Sequence, residues 1–109
     1  MHELAITQSV VDAVIEHVAG ARVRVVNLRV GRLSGVVPEA MRFCFELVTA
    51  GTPLDGARLD IEEPAGAARC HCCGESFDTD DLILLCACGS ADVEVTAGKE
   101  LTVASVEVE

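Results

Sequence analysis

The chain has 109 residues, half of them apolar, and sets 18 acids against 8 bases for a formal charge of −10. Phosphate backbones are held by Lys and Arg, so this balance excludes a nucleic-acid partner and suits solubility, a basic protein partner or handling of cations. The length fits one ordinary domain, or a small domain carrying a metal-stapled insertion.

There is no Trp, no Tyr and only three Phe, so the core must come from Val, Leu, Ile and Ala. Small cores of this kind are marginal, and a structural metal would strengthen one. No apolar run has the length needed to cross a bilayer. The N-terminus lacks the basic region, apolar stretch and cleavage site of a secretory signal. A cytoplasmic location is therefore expected, where paired cysteines stay reduced and read as metal ligands rather than disulfides.

The chain opens Met1-His2-Glu3. This start places the Met1 amine, the His2 amide and the His2 imidazole within one short chelate, and such nitrogens suit nickel or copper in a square-planar or tetragonal field. Residues 3–19 follow as a predicted helix with Leu4, Val11, Val14, Ile15 and Val18 on one apolar stripe. Gly20 closes it. Glu3 in the first turn offsets the helix dipole, and His17 in the last turn suits its other end.

Residues 22–33 read as a strand whose alternation slips by one near Val25-Val26, so either a bulge repairs it or both faces are covered. Gly31 and Gly35 mark a loop. A second helix starts at Pro38-Glu39, where proline loses no hydrogen bond. Met41, Cys44, Phe45 and Val48 form its stripe, with Cys44 read as a packing residue, and Gly51 ends it. Residues 52–56 make a turn, 57–63 alternate as a strand, and Pro64 stops that strand. Residues 65–68 look like a small-residue joint. The last strand, 100–109, must pair with one of the first two, so the cysteine segment between them reads as an insertion rather than a tail.

Within that insertion Cys70-x-x-Cys73 and Cys86-x-Cys88 can set four thiolates around one ion, the plan of a zinc knuckle. Gly74 and Gly89 follow each pair where a tight turn is needed, and Phe77 with Leu82-Ile83-Leu84-Leu85 is expected to cover one side of the metal. The second pair is C-x-C where the common knuckle has C-x2-C. His71 and Cys72 are alternative donors, with Cys72 read as a spare thiol. Residues 66–96 hold one base, Arg69, against six acids, the opposite sign to a nucleic-acid ribbon. A redox role for Cys70-His71-Cys72-Cys73 would need a helix start after the first cysteine to lower its pKa, and the sequence offers none.

Taken together, Met1-His2-Glu3-Leu4, the Gly31 region, Pro38-Glu39 with Phe43, Phe45 and Glu46, Cys70-x-x-Cys73-Gly74, Cys88-Gly89-Ser90, Gly98-Lys99-Glu100-Leu101 and Ser105-Val106-Glu107-Val108 span nearly the whole chain. In this set the chain resembles the hydrogenase-maturation nickel metallochaperones of the HypA/HybF type. The resemblance implies an α+β fold: a small mixed sheet with two helices in α-β-α-β order, a last strand returning to it, and an inserted zinc-ribbon-like subdomain. It implies a nickel-binding α/β domain over 1–65 plus 97–109 and a zinc-binding subdomain over 66–96.

It further implies delivery of Ni(II) to the large subunit of [NiFe] hydrogenase, with a GTPase partner of the HypB type. His2 would be the nickel ligand, with the Met1 amine and Glu3 at the site. Structural Zn(II) would sit on Cys70, Cys73 and Cys88. The family's usual fourth position, three before Cys88, is Leu85 here, so Cys86 serves instead. The competing reading is a zinc-ribbon adaptor that binds proteins and no nickel. An enzyme lacks support: the chain has no phosphate-binding glycine loop, no Ser-His-acid set and no open metal site legible in sequence.

Overall fold

Periodicity sets the first element. In the computed structural model, which describes residues 2–109, helix α1 spans Glu3–Val18. Val11 and Val14 of its expected stripe are buried, Ile15 and Val18 pack beside them, and Leu4 is left 55 % exposed. Thr7 takes a place on the buried face, its hydroxyl donating to the Glu3 carbonyl at 2.6 Å. A buried hydroxyl satisfied inside its own helix adds no unpaired donor. The left-handed turn that ends α1 begins one residue before the expected glycine, at Ala19 with φ 51°, and continues through Gly20.

Strand β1 spans Val23–Val30, helix α2 Pro38–Thr49 and strand β2 Arg58–Glu62. Val25 and Val26 are both buried, so the slipped alternation corresponds to a stretch covered on consecutive residues. In α2, Pro38 stands in the first turn, Met41 and Phe45 are buried, and Cys44 is half-buried. Three strands follow, β3 at Gly66–Cys70, β4 at Ser76–Thr79 and β5 at Val93–Ala97, before β6 at Leu101–Val108.

The strands form two three-stranded sheets, ordered β2-β1-β6 and β4-β3-β5. In the first, Gly31 N–H donates to Glu100 O and Glu109 N–H donates to Arg22 O. The far end of β1 thus meets the near end of β6, and the pair is antiparallel. Val23 N–H donates to Pro53 O and Arg32 N–H to Pro64 O, so β2 advances alongside β1 in the same direction. The sheet is mixed, as expected, and β6 returns to β1.

The second sheet is antiparallel throughout. Ala68 sits opposite Phe77 of β4 and Val95 of β5, with an irregularity between Ala67 and Ala68. Its central strand lies where the sequence suggests only a joint: Gly66-Ala67-Ala68 has little strand preference of its own, and pairing on both sides makes it a strand.

Two compact units result. The first takes the residues up to Leu28, Val36–Ile61 and Thr102–Glu109; the second takes Arg29–Gly35 and Glu62–Leu101. In the first, Val11, Val14, Val23, Val26, Phe45 and Leu54 form the core cluster. In the second most buried residues are small, Gly31, Gly66, Ala68, Cys70, Cys86 and Gly98, and the larger side chains are Val30 and Leu33, the latter near Gly66. The run Leu82–Leu85 does not cover the cysteines as expected. Leu82, Ile83 and Leu85 are 65, 78 and 57 % exposed. Asp80 and Asp81 precede the run, and the Asp81 carboxylate accepts the Ile83 amide in a local turn, which holds these residues at the surface.

Candidate metal centre

Cys70 ends β3, so the ladders to β4 and β5 fix where its thiol lies. The chain then turns through 71–74. Gly74 N–H donates to Cys70 O at 3.0 Å and Cys70 N–H donates to Glu75 O at 2.9 Å. At the second pair Gly89 N–H donates to Cys86 O and Cys86 N–H donates to Ser90 O, both at 2.9 Å. Each bond in the second turn closes over one residue fewer than its counterpart in the first. That is the structural form of C-x-C against C-x2-C: the turn is tighter by one residue and still delivers both thiols. Gly74 and Gly89 hold φ of 79° and 92°, a backbone region open to glycine at no steric cost.

The four sulfurs of Cys70, Cys73, Cys86 and Cys88 all lie within 4.8 Å of one another. The short approaches run between the two turns: Cys70 Sγ to Cys88 Sγ at 3.7 Å and Cys73 Sγ to Cys86 Sγ at 3.6 Å. Thiolates about 2.3 Å from a tetrahedral ion stand roughly 3.8 Å apart, so these separations fit such an ion. Among the described residues this is the one set of three or more potential metal donors drawn together. Cys70 and Cys86 are buried, while Cys73 and Cys88 are exposed.

The protons of these thiols are divided unequally. The Cys73 amide, ahead of other hydrogen bonds, holds Cys70 down at about 6. The Cys88 amide favours the Cys86 thiolate, yet burial and the neighbouring thiols outweigh it and push Cys86 up to about 12. Cys73 is also raised, against the pull of the Glu75 amide. One thiolate forms readily and the next resist, because like charges in one small volume disfavour each other. A divalent cation removes that repulsion.

His71 and Cys72 stand outside this group. His71 Nδ1 lies 3.2 Å from Asp92 Oδ1, and His71 N–H donates to Asp92 O, so this residue ties the first turn to the start of β5. Cys72 is exposed and free.

At the other candidate site His2 is exposed and occupies the N-cap of α1, where its side chain makes no capping bond. Its carbonyl accepts Ile6 N–H, opening the helix. The Glu3 carboxylate accepts Val37 N–H at 3.2 Å, and that bond is the main reason its pKa lies below the ordinary carboxylate value. Val37 is itself the N-cap of α2, and its apolar side chain makes no capping bond. Glu3 therefore couples the starts of the two helices, a contact between residues 34 apart that no local pattern signals. Met1 lies outside the described residues.

The family profile described as "Hydrogenase/urease nickel incorporation, metallochaperone, hypA" matches residues 1–108. The chain belongs to the HypA family. Hydrogenase maturation factor HypA of Geobacter metallireducens is 47 % identical over 110 residues, covering 100 % of both chains. The factor of the same name from Nostoc punctiforme is 44 % identical over 109 residues, covering 100 % of this chain and 96 % of its own. In fold, the chain matches the solution structure of the Ni metallochaperone HypA from Helicobacter pylori. The TM-score is 0.68 at 24 % identity, over 99 % of this chain and 97 % of that one. Family membership makes this chain a nickel-incorporation metallochaperone of hydrogenase maturation, and it displaces the reading of a nickel-free zinc-ribbon adaptor.

Proposed function

We propose that Ni(II), the cargo, binds at the start of the chain through the His2 imidazole, the His2 amide and the Met1 amine, with Glu3 in reach. The observation that carries this reading is the exposed His2 at the mouth of α1, its imidazole uncommitted to any capping bond. Glu3 fixes the helix start against α2, so the chelate would be presented on an anchored element rather than on a loose tail. One Glu3 oxygen already accepts Val37 N–H, so any nickel contact by Glu3 falls to the other oxygen or replaces that bond. All three nitrogens must be free of competing protons, which makes loading weaker in mild acid. A position left open or labile allows an acceptor to attack before release.

Zn(II) would be the resident ion, on Cys70, Cys73, Cys86 and Cys88. A site closed by four thiolates supplies folding energy and leaves no position for water. The proposed division of labour is a nickel-binding body, 1–65 with 97–109, and a zinc-binding insertion, 66–96. The receiver would be the large subunit of [NiFe] hydrogenase, with a GTPase of the HypB type assisting. The six cysteines are all free thiols, which suits a reducing cytoplasm. Among the described residues no helix is long and apolar enough to cross a membrane.

The test is a nickel titration of untagged protein beside His2→Ala, with zinc content measured on both. The variant is expected to lose nickel binding and keep one zinc per chain. Undiminished nickel in His2→Ala would defeat the assignment.

A further inference from the structure

Strand β6 is paired with β1 on one side and ends its sheet on the other. An open strand edge presents a row of N–H and C=O groups ready to pair, and proteins that avoid this place Lys or Pro on the edge or keep it short. Here the edge runs Leu101-Thr102-Val103-Ala104-Ser105-Val106-Glu107-Val108, eight residues with neither Lys nor Pro. Thr102, Ala104 and Ser105 are small and exposed, so another backbone can come close.

Beside this edge, between β6 and α1, lies a groove of about 600 Å³. Ala104, Val106 and Val108 line it from the strand; Val14, His17 and Val18 line it from the helix and its end. Val106 joins the core cluster, whereas Val108 remains 46 % exposed. Open backbone and an apolar groove thus occur side by side within the first unit. A helix laid in the groove would leave the strand's edge groups unpaired. An extended segment satisfies them and drops alternate side chains into the groove, since side chains of a strand alternate in direction.

We propose that the β6 edge is a docking site for an extended segment of a partner protein, apolar at alternate positions and basic at its ends. Charge selects this occupant. Residues 101–109 include Glu107 and Glu109 and no base, in a chain of formal charge −10. A second copy would bring the same carboxylates and the same net charge, whereas a segment ending in Lys or Arg is attracted. The proposal stands apart from the nickel site and does not depend on how His2 acts.

The test uses the full, zinc-replete chain labelled with ¹⁵N and a synthetic peptide of sequence Lys-Val-Thr-Val-Thr-Val-Lys. Binding is expected to shift the amides of 102–108 together with those of Val14, His17 and Val18. A peptide with identical side chains, N-methylated at alternate residues along the pairing edge, is expected to bind about tenfold or more weakly, the scale of one or two net hydrogen bonds lost. Ala104→Phe, which fills the groove, is expected to weaken binding without changing zinc content or the melting midpoint. Three results would overturn the proposal. One is binding insensitive to N-methylation. Another is equal binding of a peptide with Glu in place of the terminal Lys. The third is concentration-dependent self-association that shifts the same amides without any peptide, which would assign the edge to a second copy.

Discussion

Gly31 and Glu3 each do work that a glance at their residue type would not suggest. A methyl group at Gly31 would overlap the Gly98 carbonyl, backbone against backbone, with no flexible side chain able to yield. The close approach is what lets Gly31 N–H reach Glu100 O and Leu33 N–H reach Gly98 O, both at 2.7 Å. Gly31→Ala is therefore expected to cost more than about 3 kcal/mol, beyond the usual range for one substitution, as read from denaturant unfolding. A loss under about 1 kcal/mol would mean that the backbone there gives way easily. At Glu3 the carboxylate, not the acid, accepts the Val37 amide, so its folded pKa lies below the ordinary value of 4.5. The stabilisation is fully present above that ordinary value and is lost as pH falls through the lower folded one. Exchange of the Val37 amide is expected to be slow near neutrality beyond its intrinsic rate, to lose that protection on acidification, and to lack it at every pH in Glu3→Ala, which has no acceptor. Equal protection in the variant would assign it to something other than this bond.

Two leucines show how an element decides what a side chain is worth. Leu54 lies in a turn between Pro53 and Asp55, yet it is fully buried in the cluster with Val23 and Phe45. Val23 N–H donates to Pro53 O at 2.9 Å, and Leu54 N–H donates to the Thr52 hydroxyl at 3.1 Å, so the turn is clamped with its leucine inward. Leu82 belongs to the longest run of large apolar residues in the second unit and is 65 % exposed. Leu54→Ala is expected to destabilise by about 2–5 kcal/mol and Leu82→Ala by no more than about 0.5 kcal/mol, both from denaturant midpoints. The helices and the strands of the first sheet were legible because periods of 3.6 and 2 survive in their sequences. Strand β3 was not, because Gly66-Ala67-Ala68 becomes a strand only through partners distant in sequence. The exposure of Leu82, against expectation, has a related reason: local apolarity says that a side chain favours burial, not whether anything reaches it. The four cysteines were legible as a group because the spacing of ligands is itself the signal. The one-residue tightening of the second turn explains how Cys86, rather than residue 85, arrives at the cluster.

At the scale of the molecule the two units rest on different physics. The first buries valines, a phenylalanine, a methionine and leucines, and owes its stability to apolar area. The second buries two aliphatic side chains, Val30 and Leu33, and otherwise glycine, alanine and cysteine around four crowded thiols. Such a centre removes little apolar surface from water and cannot hold a small unit together alone. It also penalises its own ionisation, as the rise of Cys86 to about 12 indicates. An ion bound by all four sulfurs replaces that repulsion with attraction and closes both turns at once. Chelation is therefore expected to act unevenly. Amides of β3 that pair with β4 and β5, such as those of Ala68 and Cys70, should lose most of their protection from hydrogen exchange. Those of Val14 and Val26 in the first unit should keep theirs. Restoring zinc should restore the β3 amides, and Cys73→Ser should leave them unprotected with or without added zinc. If chelation lowered protection equally at Val26 and Ala68, the ion would be supporting the whole chain as one cooperative body rather than the cysteine-bearing unit.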